Sequence, residues 1–256
     1  MDSGRRSAGD QFVAEQSLMK VVQETENLFR LTRFGMINCF LVREADGFTL
    51  VDTGLRGSAV AILSAATRLG ASIRRVVLTH AHIDHIGSLD SVMAALPAAE
   101  LAMGKREARL LAKDLSLDEG ESGKTLLGFT GAKASPGRLL AEGERVGSLQ
   151  AVTSPGHTPG HMAYLDVRNN TLIAGDAFTT QTGVVASGVF KLLFPFPALF
   201  SWNAVLSAKS AAKLCGLNPS LLAVGHGPSI SSPAREMDVA LDEAFRQHPE
   251  ARRKAE

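Results

Sequence analysis

A chain of 256 residues with 45% apolar and 21% charged side chains is long enough to bury a sizeable core. Its formal net charge of +1 leaves no electrostatic footprint for nucleic acid or for an anionic membrane surface. Two cysteines do not make a disulfide framework, so Cys39 and Cys215 read as reduced, packed residues.

The first residues, MDSGRRSAGDQF, carry two arginines with no apolar stretch behind them, and no run of 18 apolar residues follows. The expectation is a cytoplasmic chain with no membrane partner: a flexible N-terminus (1–19), one domain (20–247) and a polar tail (248–256). Residues 20–33 read as one strand, and 36–42 and 48–54 as two more joined at Ala45-Asp46-Gly47. Helical periodicity over 59–70 ends at Gly70, which suits a C-cap. A buried strand is predicted at 74–80, a helix at 86–96 stopped by Pro97, a strand at 99–104 and a helix at 105–114. Residues 115–137 are polar, Gly-rich and expected to be mobile. Within them DEGESGKT (118–125) lacks the first glycine of a phosphate loop and reads as a polar surface loop. Strands are expected near 146–153, 162–167, 171–175 and 221–226, with helices over 202–217 and 233–247.

Interleaved strands and helices define an α/β chain. A faint duplication adds detail: TLVDTG (49–54) resembles TLIAGD (171–176), and RVVLTH (75–80) resembles SLLAVGH (220–226). Each half then has one apolar strand ending near an Asp and a later one ending at a His, where α/β folds commonly build sites. The pattern fits a helix–sheet–sheet–helix sandwich, an αββα arrangement of four layers.

The chemistry concentrates in THAHIDHIGSL (79–89), which holds three histidines and an aspartate between positions 80 and 85. In an extended segment His80 and His82 point the same way, and a turn or helix start after Asp84 turns Asp84 and His85 toward a second point. Such a cluster makes sense around a divalent cation, whereas a buried carboxylate without one needs another partner. Three more donors follow apolar strands at Gly-containing turns: His157 in TSPGHTPGH, Asp176 after LIAG, and His226 in GHGP. His80, His82, Asp84, His85, His157, Asp176 and His226 are donors enough for two metals sharing one carboxylate. His161 is read as packing behind them, Asp52 as acceptor for the free N–H of one of those histidines, and His248 as a surface residue. No G-x-S-x-G occurs, and neither cysteine has a histidine nearby in sequence.

The HxHxDH motif at 80–85, followed in order by His157, Asp176 and His226, resembles the metallo-β-lactamase superfamily. VDTG (51–54) and PGHTPGH (155–161) resemble its hydroxyacylglutathione hydrolase-like and lactonase-like branches. The resemblance covers about residues 20–230. It implies two divalent ions, Zn first with Mn or Fe as alternatives, in a groove at one edge of the sheets. One ion is held by His80, His82 and His157, the other by Asp84, His85 and His226, with Asp176 between them. It implies a hydrolase in which a metal-bridging hydroxide attacks the carbonyl of an ester, thioester, lactone or β-lactam, with Asp84 or water returning a proton. The same motif also serves an iron-dependent sulfur dioxygenase acting on a glutathione persulfide, and a metal-stabilised binding protein without turnover. Two features depart from the branches. The stretch after His226 is too short for a glutathione-binding extension, and Phe178 and Thr179 stand where the lactonases place a tyrosine.

Residues 187–202, SGVFKLLFPFPALFSW, combine Phe190, Phe194, Phe196, Phe200 and Trp202 with two prolines that bar a long helix. They are expected to form core, a contact between two copies, or an apolar groove wall. As a wall, Phe194, Phe196 and Phe200 with Phe178 would favour a small-molecule substrate with an apolar portion.

Overall fold

The computed structural model describes residues 19–193 and 195–252. The first sheet runs in the order β1 (Lys20–Gln23), β2 (Leu28–Arg33), β3 (Ile37–Glu44), β4 (Gly47–Val51), β5 (Ile73–Leu78), β6 (Glu100–Gly104) and β7 (Arg138–Leu140). Strands β1 to β4 pair antiparallel and β4 to β7 parallel. Parallel neighbours need long crossovers, and three of these carry helices: α1 (Ala59–Arg68), the pair α2 (Ile83–Ile86) and α3 (Leu89–Ala95), and α4 (Lys105–Leu111). The second sheet has the order β15-β14-β11-β10-β9-β8, from β8 (Arg145–Val146), β9 (Leu149–Thr153), β10 (Met162–Asp166), β11 (Thr171–Ile173), β14 (Leu221–Ala223) and β15 (Ile230–Ser231). A two-stranded ribbon, β12 (Phe178–Thr179) with β13 (Val185–Ala186), leads to the one-turn helix α5 (Phe196–Leu199). Helices α6 (Ala204–Cys215) and α7 (Ala234–Gln247) complete the order, followed by a short 3-10 turn at Pro249–Arg252.

Period-two alternation sorts the strands into layers. On β3, Cys39 and Leu41 join Ile62, Ala65 and Val92 of the first helices, whereas Phe40 and Val42 face the second sheet's Ala151, Tyr164 and Ile173. On the second sheet, Ala163, Leu172 and Leu222 pack under Ala208, Ala211 and Met237 of α6 and α7. Three apolar clusters between four layers are the αββα sandwich. Both faces of each sheet are covered, which is why its strands read as apolar runs. Cys39 lies inside this packing, where burial pushes its thiol well up; Cys215, less buried, is pushed up to about 12.

Several boundaries differ from expectation. The single strand over 20–33 is a hairpin, because Thr25 Oγ1 accepts from the Asn27 and Leu28 N–H groups and turns the chain. The strand over 146–153 is also a hairpin, folded at Gly147 with φ +59°. The 86–96 helix begins before Asp84, not after it: His82 is extended (φ −69°, ψ 150°), Ile83–Ile86 make one turn, and the axis breaks at Gly87-Ser88. Helix α6 starts at Ala204 because Asn203 caps it, accepting from the Leu206 N–H at 2.9 Å. The 115–137 stretch is irregular but tied down: the Ile83 N–H donates to Gly128, and Lys124 donates from its backbone to Trp202 and from Nζ to Ala198. Among the described residues no helix is long and apolar enough to cross a membrane.

Candidate metal centre

Every donor singled out in the sequence follows the end of a strand or begins a helical turn at one edge of the sandwich. His80 and His82 lie between β5 and α2, and Asp84 and His85 lie within α2. His157 sits in the β9–β10 loop, Asp176 in the β11–β12 loop and His226 after β14. Three overlapping groups have donor atoms within 4.8 Å of one another: His80, His82 and His157; His80, His85 and Asp176; Asp84, His85 and His226.

In the first group His82 Nδ1 lies 3.1 Å from His80 Nε2 and 3.0 Å from His157 Nε2. Proton accounting shows what these nitrogens present. Thr79 Oγ1 donates its proton to Asp52 at 2.7 Å, so toward His80 Nδ1, 3.0 Å away, it can only accept. His80 therefore keeps its proton on Nδ1 and turns the Nε2 lone pair inward. Burial, then the neighbouring imidazoles, hold His80 well below the usual histidine range; burial brings His82 down to about 4. Neutral imidazoles around one point suit a cation bound at about 2.0–2.1 Å, whose tetrahedral edges are about 3.3 Å.

Asp176 links the two ends of the site. One carboxylate oxygen is 3.3 Å from His85 Nε2; the other is 3.1 Å from His226 Nε2 and 3.5 Å from His157 Nε2. Asp84 lies 3.2 Å from His226 Nε2 and 3.9 Å from His85 Nε2. His85 Nε2 and Asp176 Oδ1 are both buried without a hydrogen-bond partner. Such atoms are costly unless something else satisfies them, and a divalent cation does. The donor set fits the metal that its chemistry suggests. Burial lowers His85 and His226, but Asp176 and the other carboxylates outweigh it, taking His85 well above the usual range and His226 up to about 10. Burial raises Asp84 and Asp176, and the facing imidazoles more than reverse this, holding both carboxyls below their usual range.

Around these donors lies a set of acceptors. Asp52 takes hydrogen bonds from the Thr79 N–H, Thr79 Oγ1 and His85 Nδ1 at 2.7–2.8 Å, from a backbone held at φ +60°. His161 Nε2 accepts from the Asp176 N–H at 3.1 Å, while its Nδ1 faces Ser154 Oγ at 2.9 Å; burial takes it down to about 3. Asn38 was not anticipated: its side-chain amide donates to the Val224 and Gly227 carbonyls on either side of His226. Glu107 was missed as well. Buried at the start of α4, it accepts from the Ala81 N–H at 2.8 Å, Thr158 Oγ1 at 2.7 Å and the Gly160 N–H at 3.0 Å. It thus joins the His80–His82 segment to the His157 loop. Burial drives Glu107 up to about 7 against those hydrogen bonds. Neither residue carries a local sequence signal, since each acts through partners distant in the chain.

The donors open on a groove of about 280 Å³. Its walls include Met36, Ile37, Ile83, Phe178, Phe196 and Phe200. Phe178 is buried, whereas Phe196 and Phe200 are 52% and 42% exposed and stack at 6.3 Å. Phe194 lies outside the described residues. Phe129, unremarked in the sequence, packs its ring 4.7 Å from that of His82. His248 is not purely solvated, for its Nε2 reaches the Gly188 carbonyl at 3.2 Å.

Residues 32–226 match the family model described as the metallo-beta-lactamase superfamily. The chain belongs to that superfamily, whose members are mostly metal-dependent hydrolases. It is 42% identical over 228 residues, 87% of this chain and 98% of the other, to uncharacterized protein YobT of Bacillus subtilis (strain 168). Its fold matches the class B3 di-zinc metallo-beta-lactamase LRA-12 from an Alaskan soil metagenome at TM-score 0.66 and 20% identity, covering 93% of this chain and 96% of that one. It also matches TTHA1623 in a di-iron-bound form at TM-score 0.59 and 23% identity, covering 85% and 96%.

Proposed function

We propose that the chain is a two-metal hydrolase of esters, thioesters or lactones whose acyl portion is apolar and uncharged. The observation that carries this reading is a seven-donor cluster, linked through Asp176, at the floor of a groove walled by aliphatic and aromatic side chains. His80, His82 and His157 would hold one divalent ion, Asp84, His85 and His226 the other, and Asp176 both. Bound there, the ions would supply Lewis acidity and bring the pKa of water in the groove to about 7. Zinc suits the three-imidazole group best, and a second donor group with two carboxylates is more than one mononuclear iron needs. Asp84, held ionised by the imidazoles beside it, is better placed as a ligand than as a proton store. No lysine or arginine lines the groove among the described residues. A β-lactam or an acylglutathione would bring carboxylates with no lysine or arginine in the wall to pair with them.

The test is metal analysis of protein purified without added metal, followed by a screen of p-nitrophenyl esters, acyl lactones, acylglutathiones and nitrocefin. About two zinc per chain and turnover of the neutral acyl substrates is the expected result. One iron per chain with oxygen uptake on glutathione persulfide would overturn it.

The wall makes its own prediction. Burying one aromatic ring against a substrate contributes about 1.5–3 kcal/mol. Phe200→Ala should therefore lower kcat/KM for long-chain or aromatic acyl esters about 10- to 150-fold and leave acetyl esters unchanged. Phe200 is 42% exposed, so the melting temperature should barely move. Equal losses on short and long esters would remove it from the wall.

Metal loading should depend on pH in two distinct ways. His82, with a pKa of about 4, is neutral at pH 7, so an ion entering the three-imidazole group displaces no proton from it. His226, raised to about 10, is protonated below that pH in metal-free protein, and His85 is raised in the same direction. An ion entering the second group must expel those protons, so its affinity rises from pH 6 toward pH 10. Calorimetry in buffers of different ionisation heat should find more protons released with the second ion than with the first. Equal proton release for both would contradict the assignment.

A further inference from the structure

His157 is attached to the groove wall through a chain of hydroxyls that the metal chemistry does not itself require. Its Nε2 faces the donor cluster, and its Nδ1 points the other way, 3.1 Å from Ser187 Oγ. Ser187 Oγ is 2.5 Å from Ser201 Oγ, and Ser201 in turn donates to the Pro197 carbonyl. All three side chains are buried, and Pro197 lines the groove between Phe196 and Phe200.

The last acceptor decides every proton before it. A carbonyl can only accept, so the Ser201 hydroxyl proton is committed to Pro197. Ser201 Oγ must then accept from Ser187, which commits the Ser187 proton as well. Ser187 is left able only to accept from His157, which therefore carries its proton on Nδ1 and presents the Nε2 lone pair to the cluster. The backbone reinforces the link. The Trp202 N–H donates to the His157 carbonyl at 2.9 Å and the Asn203 N–H to the Gly156 carbonyl at 2.8 Å. The aromatic turn is thus fastened at its far end to the loop carrying His157.

We propose that Ser187 and Ser201 are positioning residues: a two-hydroxyl relay through which the Pro197 carbonyl of the apolar wall fixes the tautomer and aim of His157. Pressure on the wall from a long acyl chain is carried to a metal donor, so substrate fit and metal retention are coupled. The consequence for metal rests on His157 serving as a ligand; the tautomer itself does not.

The closing experiment therefore begins with metal-free, 15N-histidine-labelled protein, in which imidazole nitrogen–proton correlations report each tautomer. His157, assigned by its absence in His157→Gln, should be the Nδ1–H form. In Ser201→Ala the Ser187 hydroxyl is released to donate toward Nδ1, so the Nε2–H form should appear. Zinc affinity by chelator competition should fall about 10-fold in Ser201→Ala and up to about 100-fold in Ser187→Ala, the range for losing a partner behind a metal ligand. Ser187→Thr, which keeps the hydroxyl, should retain the wild-type tautomer and affinity. With zinc at saturation, Ser201→Ala should raise KM for a long acyl ester more than for an acetyl ester. An Nε2–H tautomer in the wild type overturns the relay whether or not the variants fold. So does a Ser201→Ala protein whose tautomer and zinc affinity match the wild type. Neither outcome depends on turnover, so the relay can fail while the hydrolase reading stands.

Discussion

Asp176→Ala is expected to reduce bound metal from about two ions per chain to one or fewer, and to lower kcat/KM at least about 10³-fold. Its two oxygens approach His85 on one side and His226 and His157 on the other, so it serves both donor groups. Removing it leaves His85 and His226 facing each other without the carboxylate that holds their pKa values up. Losing one ion of a two-metal site removes several kcal/mol of transition-state stabilisation, and about 4 kcal/mol is a factor of 10³. The surroundings leave little room for repair. The backbone N–H of Asp176 is held by His161, and a Cβ at Gly225 would lie 2.6 Å from His85 Cε1. Metal analysis, kcat/KM and circular dichroism on the same preparation check this. Two ions retained with unchanged turnover would remove Asp176 from the centre.

Glu107→Ala should destabilise the fold by about 3–5 kcal/mol. It strands three buried donors (the Ala81 and Gly160 N–H groups and Thr158 Oγ1) and opens a cavity where the side chain was. For a chain of this size that is a fall in melting temperature of about 6–20 °C. Glu107→Gln should lie between, since its amide NH2 must face one of those donors. The comparison with Gln also has a pH signature. The pKa of Glu107 is raised by burial from 4.5 to about 7, so folding favours its protonated form. Its contribution to stability is then complete below pH 4.5 and declines as pH rises through 7. The gap in stability between wild type and Glu107→Gln should accordingly be narrower at pH 8 than at pH 5. A gap that widens with pH would show that the ionised carboxylate is the form the fold prefers.

The sequence made the donors legible because chemistry and spacing coincide in them. HxHxDH has few uses other than metal binding, and the remaining donors follow apolar strands. The layer order was legible too, since strands covered on both faces read as apolar runs. The faint internal repeat has a counterpart in space. β4 and β5 are parallel neighbours ending near Asp52 and His80, and β11 and β14 are parallel neighbours ending near Asp176 and His226. What the sequence withheld are partners of ordinary residue type joined over long separations. Asn38 reaches Val224 across 186 positions, Glu107 reaches Gly160 across 53, and Ser187 reaches His157 across 30. Hairpin positions were lost for a local reason, because Thr25 and Gly147 turn the chain within runs that look continuous. The 115–137 stretch looked free because its composition is polar, yet backbone groups and the side chains of Lys124 and Glu121 anchor it to partners that composition does not reveal.

The two sheets meet at this edge under two kinds of constraint. Through most of the sandwich they touch by apolar packing around Phe40 and Tyr164, which resists separation better than it resists sliding. Near the donors, polar bonds cross between them: Tyr164 Oη donates to the Leu78 carbonyl, and Asn38 reaches the loop carrying His226. His80, His82, Asp84 and His85 belong to the first half of the sandwich, and His157, Asp176 and His226 to the second. An ion gripped by both would act as a clasp. It would suppress shear between the layers at the edge that carries the groove, as the bonds from Ser148 and Arg168 to Glu44 do at the opposite edge.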